Sequence, residues 1–432
     1  MLTSGLDINE SGHLTVGGVD TVMLAEKYGT PLYIMNEDVI RENCRSYVTA
    51  LDKYYDGYGM IAYASKAFNT RAMCSIVNSE NMGIDVVSGG ELYTAKSVNF
   101  PSEKIVFHGN NKTAEELIMA IEYGVGRIVV DNIFELRLLD TLAKAANKKI
   151  NIMLRIKPGV DAHTHDFIRT GQIDSKFGFA LETGEAFEAI KLSLSAKNLK
   201  LSGLHCHIGS QIFDIEPFCH ASEIMLDFMR DIRDNLGITL SELNMGGGFG
   251  IKYVEGNNPP SYTSFVKEII ARIKLRCEKN SYPLPFLIFE PGRSIVGEAG
   301  TTLYTVGGIK NIPNIRTYVS VDGGMCDNPR YALYKSEYSF TVANRASEEQ
   351  LKNVTIAGKC CESGDILGEN VALQDAKIGD ILAVMSTGAY NYSMSSNYNR
   401  NPTPAVIAIH SGKDRVIVRR QTYEDIVRND EL

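Results

Sequence analysis

Three short stretches of the 432-residue sequence combine reactive side chains with glycines. Lys66 follows the apolar run Met60–Ala64, and a lysine that is partly desolvated at such a position can act as a Schiff-base amine. The run Gly246–Gly250 (GGGFG) offers successive backbone N–H groups that can cradle a phosphate. Glu290 and Arg293, in the sequence EPGR, add a carboxylate that can keep a pyridine-type nitrogen protonated and a cation that can bind phosphate.

The sequence His205-Cys206-His207 resembles part of a metal site. Alternate residues of a strand share a face, so both histidines would point the same way. No third protein ligand is evident beside them, and we therefore predict no metal. The inward histidine is instead expected to stack on a flat ring.

Short apolar runs rich in β-branched residues alternate with segments of helical period along the first 300 residues. Eight runs are predicted as strands: Met60–Ala64, Gly83–Val87, Lys104–Phe107, Arg127–Val130, Asn151–Ile156, Leu201–Cys206, Leu240–Met245 and Pro285–Phe289. Eight strand–helix units predict an α/β fold that closes as a (β/α)8 TIM-like barrel, with a doubly wound open sheet as the alternative. The reactive groups of such a barrel gather at the carboxyl ends of its strands, where Lys66, His207 and Glu290 stand.

The residues at these strand ends also have simpler explanations. Most lysines at the start of a loop are solvated, a glycine run can be a tight turn, and Glu290 could pair with Arg293. The glycine run follows the seventh predicted strand, and Gly292-Arg293 follows the eighth. Barrels often bind phosphate after these two strands, so the sequence favours a phosphate site there.

The sequence changes character near residue 301, after which strand-like runs such as Thr302–Ile309 dominate. We predict a barrel domain over residues 35–300. A second, β-rich domain that resembles a β-barrel or sandwich is predicted from residues 1–34 and 301–432. The short run His13–Val16 is expected to add a strand to this second domain.

The composition is that of an acidic globular protein, with 44 Lys and Arg against 52 Asp and Glu and a formal net charge of −8. Such a chain lacks the basic surface that nucleic acid or an anionic membrane requires, so neither is an expected partner. No apolar stretch approaches the ~20 residues that cross a bilayer, and Met1–Asp7 lacks the features of a secretory signal. We therefore expect a cytoplasmic protein whose eight cysteines, which show no CxxC spacing, are reduced.

Three segments of the β-rich region carry side chains that suit a binding site. Cys361 stands beside Glu362 in CESGD, where a reactive thiol and a buried structural cysteine are both open interpretations. The polar and aromatic run Gly388–Asn399 suits a loop that lines a site. Arg330 and Tyr334 could bind a carboxylate, with surface exposure as the alternative.

These motifs, taken in chain order, resemble one family nearly from end to end. They are YASKA at 63–67, DAHTH at 161–165, DSKFGF at 174–179, GLHCHIGSQ at 203–211, GGGFG at 246–250, EPGR at 290–293, CESGD at 361–365 and GAYNYSMSSNYN at 388–399. The sequence is similar to the diaminopimelate decarboxylase family, which belongs to the fold-type III, alanine-racemase-like enzymes that use pyridoxal 5′-phosphate. The resemblance implies decarboxylation of meso-2,6-diaminopimelate to L-lysine, the last step of lysine biosynthesis.

The resemblance also implies roles for individual residues. Lys66 would carry the cofactor, His207 would stack on its ring, and Cys361 would donate the proton that replaces CO2. The implied cofactor-binding residues are Lys66, Asp85, His207, Ser210, Gly248, Glu290, Pro291, Gly292, Arg293 and Tyr390. The implied substrate-binding residues are Arg293, Arg330, Tyr334, Glu362 and Tyr390.

Substrate choice would depend on the far end of diaminopimelate, which carries both an ammonium and a carboxylate. Glu362 suits the ammonium, and Arg330 suits the carboxylate. The family resemblance also implies a homodimer with composite sites, in which Cys361 serves the active site of the other subunit.

Related activities remain open as alternatives. A decarboxylase of carboxynorspermidine, ornithine or arginine is the nearest one, although ornithine would leave a buried arginine unpaired. A racemase of the same fold is disfavoured, because such enzymes usually pair the pyridine nitrogen with arginine where this chain has Glu290. An inactive homologue that only binds partners is disfavoured by the presence of Lys66 and Cys361.

Two positions depart from the usual pattern of the family. Tyr331 and Lys359 stand where the family more often has proline. Tyr331 could alter the approach of Arg330 to the substrate. The segment Asp161–Lys176 is a candidate lid over the site.

Overall fold

Two compact units make up the chain in the computed structural model, which describes residues 5–160 and 175–432. The barrel unit comprises Asn43–Gly250 and Pro259–Ser294, and the β-rich unit comprises Met1–Glu42, Ile251–Asn258 and Ile295–Leu432. Apart from its last two positions, the candidate lid lies outside the described residues.

The segment Ile251–Asn258 belongs to the β-rich unit although it lies between two barrel segments of the sequence. Its hydrogen bonds explain the assignment. The Lys252 N–H donates to Oε1 of Glu298 (2.7 Å), and the Ser386 hydroxyl donates to the Lys252 carbonyl (3.1 Å). The compact units are defined by the contacts within the folded chain. The domain limits at residues 35 and 300 remain predictions from the sequence.

The described residues form 21 strands. They are β1 (Leu6–Ile8), β2 (Leu14–Val16), β3 (Val19–Asp20), β4 (Leu32–Asn36), β5 (Gly59–Ala64), β6 (Gly83–Val86), β7 (Ile105–Phe107), β8 (Arg127–Val130), β9 (Ile150–Lys157), β10 (Phe179–Ala180), β11 (Leu199–His205), β12 (Glu242–Asn244), β13 (Phe286–Phe289), β14 (Gly300–Ile312), β15 (Arg316–Val321), β16 (Phe340–Val342), β17 (Lys352–Ala357), β18 (Ile366–Leu373), β19 (Ile381–Met385), β20 (Ala405–His410) and β21 (Lys413–Val418).

The same residues form twelve α-helices. They are α1 (Thr21–Tyr28), α2 (Glu37–Tyr55), α3 (Arg71–Ser79), α4 (Gly89–Lys96), α5 (Ala114–Tyr123), α6 (Ile133–Ala145), α7 (Glu185–Ser195), α8 (Glu216–Leu236), α9 (Tyr262–Lys279), α10 (Arg293–Val296), α11 (Arg330–Tyr334) and α12 (Tyr423–Val427). None of the helices in the described ranges is both long and apolar enough to cross a membrane.

Eight parallel strands close into a ring in the barrel unit. Pairing runs in the order β5-β6-β7-β8-β9-β11-β12-β13 and returns from β13 to β5. The closing pair places Leu287 opposite Gly59 and Phe289 opposite Ile61. The predicted (β/α)8 barrel is confirmed, and the open doubly wound sheet is wrong because its first and last strands would not pair.

Local sequence explains how the barrel helices begin and end. Thr113 caps α5 by accepting the N–H of Glu116, whose carboxylate accepts the N–H of Thr113 in return. The same helix ends at Gly124, which has a left-handed conformation that favours glycine. Asn132 caps α6, because its side-chain oxygen accepts the N–H of Glu135.

Apolar side chains fill the interior of the barrel below the carboxyl ends of its strands. One buried cluster consists of Ala62, Val106, Val129, Met153 and Ile288, from five different strands. Polar side chains follow toward the carboxyl ends, where Asp85, His108 and Glu290 are also buried. The apolar filling therefore forms the floor beneath a polar site.

The β-rich unit is built on a second sheet, in the order β18-β17-β15-β14-β4-β20-β21, and β19 pairs with both β14 and β16. The early strand β4 lies between β14, which is antiparallel to it, and β20, which is parallel. The run His13–Val16 contains β2, which pairs with β1 and β3 in a separate three-stranded sheet. The predicted β-rich domain after the barrel is confirmed as part of the fold.

Truncation of the barrel core should lower stability strongly. Ile288→Ala is expected to reduce the free energy of unfolding by about 2–5 kcal/mol. The Ile288 side chain is fully buried, so its truncation leaves a cavity in the core of the barrel. Urea denaturation followed by circular dichroism measures the change. Leu275→Ala, at a position on α9 that is 63% exposed, is the matched control, and an equal loss in the two variants would contradict the expectation.

Candidate active site

Lys66 stands at the carboxyl end of β5, on a short 3₁₀ turn over Ser65–Ala67. The Ser65 hydroxyl holds this turn by donating to Oε2 of Glu91 (2.7 Å). The lysine is half-buried, and its charge acts on both Asp85 and His207. Lys66 is therefore part of a cluster of ionisable groups. An ordinary solvated lysine at the start of a loop would not have such neighbours.

Asp85 on β6 is a buried carboxylate with one unsatisfied oxygen. Burial raises its pKa to about 6, although the charges of His108 and Lys66 oppose that shift. Its Oδ1 lies 4.0 Å from Nε2 of His108 and has no hydrogen-bond partner among the described residues. An unsatisfied buried oxygen of this kind is an acceptor that a polar or cationic group of a ligand could satisfy.

Glu290 follows β13 and is held by three side chains. Oε1 accepts hydrogen bonds from Nδ2 of Asn244 (2.6 Å) and from Nε2 of His108 (2.7 Å), and Oε2 lies 3.3 Å from Nε2 of His205. Burial by itself would raise the pKa of Glu290, but its interactions with His108 and His205 lower that pKa well below the usual value. Glu290 is thus a buried, ionised and rigidly oriented carboxylate.

Two histidine rings at the end of β11 are kept neutral. Burial lowers the pKa of His205 to about 3, and it lowers the pKa of His207 well below the usual range. The Gly247 N–H donates to Nδ1 of His207 (3.3 Å), which fixes the ring orientation. A neutral imidazole suits the predicted stacking on a flat ring, because it carries no charge that must be solvated.

The glycine run after β12 forms a close-packed loop. Gly246 and Gly248 have φ values of 66° and 121°, in the region that favours glycine. A Cβ on Gly247 would overlap the carbonyl oxygen of Glu290, and one on Gly248 would overlap that of Gly209. The loop therefore requires glycine for its conformation and its packing. Gly246, Gly247 and Gly250 already donate their N–H groups within the protein, so Gly248, which is half-buried, is the residue of the run that suits an anion.

Arg293 and Ser210 lie beside this loop in the same unit. Nη2 and Nε of Arg293 donate to the Ser210 hydroxyl oxygen at 2.9 and 3.2 Å. The Ala64 N–H donates to the Pro291 carbonyl (3.0 Å), and a Cβ on Gly292 would approach Ala64 to 2.9 Å. The EPGR segment is thus locked against the end of β5.

The barrel site contains three residues that the sequence analysis missed: His108, Arg155 and Asn244. His108 directly follows β7 and shares the strand-end position of the residues that were found. Asn244 joins Glu290 to the glycine loop, because its Oδ1 also accepts the Gly246 N–H (2.9 Å). Inspection of every strand end would have found His108, and a buried amide inside an apolar strand was the signal for Asn244.

Arg330 lies on α11 of the β-rich unit and is buried, with 6% of its surface exposed. Its guanidinium donates to the Tyr338 hydroxyl (2.7 Å) and to the Ser336 hydroxyl (3.2 Å), and it packs over the ring of Tyr253. The alternative of surface exposure is therefore wrong for Arg330. Tyr334, one helical turn later, is half-buried.

The cysteine motif of the β-rich unit separates two thiols by their exposure. Cys360 is buried, whereas Cys361 and Glu362 are exposed. The Cys361 N–H donates to Oδ1 of Asn399 (2.7 Å). A buried structural cysteine therefore describes Cys360, and Cys361 is the thiol that can react. Tyr390, the remaining predicted contact, is half-buried at a φ of 65°.

One group of potential metal ligands occurs among the described residues, and it differs from the histidine pair considered above. It consists of His108, His205 and Glu290, whose ligand atoms lie within 4.8 Å of one another. These atoms already contact one another as hydrogen-bonding partners, at 2.7 and 3.3 Å. These contacts hold the Glu290 carboxylate in one orientation, which accounts for the proximity of the three side chains.

The chemistry of this donor set fits pyridoxal phosphate. Lys66 supplies an amine for an aldehyde, the glycine loop and Arg293 supply donors for a phosphate, and Glu290 supplies a carboxylate for a ring nitrogen. Asp85 adds the unsatisfied oxygen, and His207 adds a neutral flat ring. Together with the closed barrel, these features define the class of pyridoxal-dependent enzymes.

Comparison with known proteins agrees with this class. Residues 37–297 match the family model of the pyridoxal-dependent decarboxylases, pyridoxal binding domain. The chain is 51% identical to the diaminopimelate decarboxylase of Bacillus subtilis, over 98% of this chain and 96% of the relative. It is 46% identical to that of Staphylococcus aureus, over 98% of both.

A solved structure gives the same result. The chain superimposes on diaminopimelate decarboxylase from M. jannaschii, in a co-complex with L-lysine, with a TM-score of 0.93 and 37% identity, covering 100% of this chain and 99% of that one. The chain belongs to the diaminopimelate decarboxylase family. The expected family, its cofactor class and its carboxy-lyase activity are thereby confirmed.

Protonation of His205 should contribute to acid sensitivity. Its pKa is lowered in the folded protein to about 3, so the folded state loses stability as pH falls from 6.5 toward 3. His205→Gln, which retains an N–H donor toward Glu290, should lose about 2 kcal/mol less than the wild type between pH 7 and pH 5. Urea unfolding at a series of pH values measures this, and parallel stability curves for the two proteins would contradict it.

Proposed function

We propose that this chain converts meso-2,6-diaminopimelate to L-lysine and CO2 with pyridoxal 5′-phosphate as cofactor. The names of the Bacillus subtilis and Staphylococcus aureus relatives support this reaction, as does the L-lysine in the M. jannaschii complex. The observation that carries the choice of substrate is Arg330. Its guanidinium is buried, and within the described ranges no carboxylate lies at ion-pair distance from it. A buried cation of this kind needs an anionic ligand.

The barrel unit provides the groups that would hold the cofactor. Lys66 would attach its aldehyde carbon, Glu290 would bind the ring nitrogen, and His207 would cover one face of the ring. The phosphate would be bound by Gly248, Gly292 and the backbone of Arg293, with Ser210 and, from the β-rich unit, Tyr390 as further contacts. Pro291 is a further proposed cofactor contact. Asp85 would use its unsatisfied oxygen close to Lys66.

The proposed chemistry divides between the cofactor and the chain. Bound pyridoxal phosphate supplies an electron sink for the bond between the substrate Cα and its carboxylate. Glu290, ionised and fixed by Asn244 and His108, would keep a proton on the ring nitrogen and so would strengthen that electron withdrawal. Cys361 would donate its Sγ proton to Cα in the place of the departed CO2, and the resulting thiolate would take a proton back from solvent.

Recognition of the far end of the substrate would rest on two charges. Arg330 pairs with the distal carboxylate, and Glu362 pairs with the distal ammonium. Arg293, Tyr334 and Tyr390 are the further substrate contacts of the proposal. Ornithine offers only an ammonium at this end, so it would leave Arg330 without an anion and place a like charge near it.

The proposal includes a homodimer with composite active sites and a cytoplasmic location. Cys361 would serve the site that contains Lys66 of the other subunit, which is why its exposure in the single chain suits the role. A proton donor of this kind must stay a thiol, and the reducing cytoplasm keeps exposed thiols reduced.

Release of CO2 from meso-diaminopimelate tests the reaction. The purified protein should be yellow and should release CO2, whereas Lys66→Ala should lose the absorbance of the attached cofactor and the activity, because it lacks the amine. Ornithine is the control substrate and should be turned over at least about 100-fold less efficiently. A colourless wild-type protein would exclude the cofactor, and equal turnover of ornithine would exclude the role of Arg330.

Mixing of two inactive variants tests the composite site. Lys66→Ala and Cys361→Ala should each be inactive alone. Random exchange of their subunits should restore about one quarter of wild-type activity, because half of the dimers then contain one intact site out of two. Activity after mixing, with analytical ultracentrifugation to verify the dimer, measures this. No recovery in dimers that demonstrably exchange subunits would show that Lys66 and Cys361 act within one chain.

A further inference from the structure

Asp365, the last residue of CESGD, has no role in the reaction described above. Its side chain is 3% exposed, and its two carboxylate oxygens accept main-chain N–H groups from two different loops. Oδ1 accepts the N–H of Met325 (2.6 Å), and Oδ2 accepts the N–H of Cys360 (2.7 Å). We call these segments the arginine loop (residues 323–330) and the cysteine loop (residues 358–365).

The backbone adds further ties at the same place. The Lys359 N–H donates to the Gly323 carbonyl (2.8 Å), and the Gly358 N–H donates to the Asp365 carbonyl (2.9 Å). A Cβ on either Gly324 or Gly358 would overlap the Asp365 carboxylate. Both loops therefore have glycine where this carboxylate lies, which is the packing expected of a fixed joint between them.

The two loops end at the groups assigned to substrate. On the arginine loop, the N–H groups of Asp327 and Asn328 both donate to the Gly324 carbonyl, at 3.0 and 2.8 Å, just before Arg330 begins α11. On the cysteine loop, the Glu362 N–H donates to the Cys360 carbonyl (2.8 Å). Short, internally bonded segments thus connect the joint to Arg330 and to Glu362.

We infer that Asp365 is a positioning residue that fixes both the loop that leads to Arg330 and the loop that carries Cys361 and Glu362, and thereby determines how the distal end of the substrate is recognised. This inference rests on the proposed function for the roles of those three residues. Asp365 itself does not act on substrate, because main-chain donors occupy both of its oxygens. Bonds from N–H groups to a carboxylate are among the stronger hydrogen bonds, so their loss releases both loops.

The test compares Asp365→Asn with a matched control in the same unit. An asparagine can offer only one acceptor oxygen to the two N–H groups, so one loop is released. Asp380→Asn is the control, because Asp380 is also buried and also accepts a main-chain N–H, that of Lys377 (2.6 Å). Its side-chain partners, Asn344 and Arg345, are not assigned to substrate. In the holoenzyme, Asp365→Asn should lower kcat/KM for meso-diaminopimelate about 100-fold, with KM raised about tenfold, whereas Asp380→Asn should leave KM within about twofold.

A second variant tests the inference even if Asp365→Asn does not fold. Gly358→Ala retains the carboxylate and crowds it, and it should raise KM in the same direction. The absorbance of the bound cofactor should stay unchanged in both variants, since Lys66, the residue proposed to attach it, lies in the barrel unit. Loss of thermal stability equal to that of Asp380→Asn, with KM unchanged in both Asp365→Asn and Gly358→Ala, would overturn the inference.

Amide hydrogen exchange separates this inference from the proposed function. Peptides that contain Met325 or Cys360 should exchange faster in Asp365→Asn than in the wild type or in Asp380→Asn. Unchanged exchange in both loops would overturn the joint even if the wild type decarboxylates diaminopimelate. If these peptides exchange faster in Asp365→Asn but the wild type releases no CO2, the joint is retained and the proposed function is rejected.

Discussion

The pairing of β13 with β5 is the contact on which the site depends. Lys66 follows β5 and Glu290 follows β13, more than 200 residues apart in the sequence, and only closure of the ring makes these two strand ends neighbours. The main chain fixes their relation through the bond from the Ala64 N–H to the Pro291 carbonyl. Because backbone geometry sets this distance, the amine and the carboxylate are held in position before any ligand arrives.

Burial of charge is the second constraint, and it follows from the first. Closure places Glu290, Asp85 and Arg155 in a space with little water, where each charge is costly unless it has a partner. Glu290 is satisfied by Asn244 and two histidines, whereas Asp85 keeps an unsatisfied oxygen. The barrel site is thus hydrogen-bonded at both oxygens of Glu290 and retains an unsatisfied buried acceptor at Asp85, on which the charge of Lys66 acts.

Much of the barrel was predictable from the sequence, because its strands are continuous apolar runs and its reactive groups follow them. Lys66, Glu290 and the glycine run were found in this way, whereas His108 and Asn244 were not. Their partner Glu290 lies 182 and 46 residues away, and no local pattern reports such a contact. The assignment of substrate came from resemblance to a family and from the burial of Arg330.

The β-rich unit was predicted less completely. Strands β17, β18 and β21 contain several polar residues, and β18 and β21 end the sheet, where charged side chains are common on edge strands. The joint at Asp365 could not have been predicted, because a carboxylate beside a cysteine suggests reactivity rather than a contact with another loop. Only the folded backbone shows which N–H groups it accepts.

The position of β4 has a consequence for the order in which the protein is made. This strand lies between β14 and β20, so one of its neighbours is synthesised roughly 370 residues after it, about 20–75 s later at ordinary translation rates. The barrel unit ends at Ser294, before either neighbour exists. The barrel can therefore fold on the ribosome before β4 has either neighbour. Until the carboxyl-terminal strands emerge, β4 is an apolar strand with both edges unpaired, and it needs protection from aggregation.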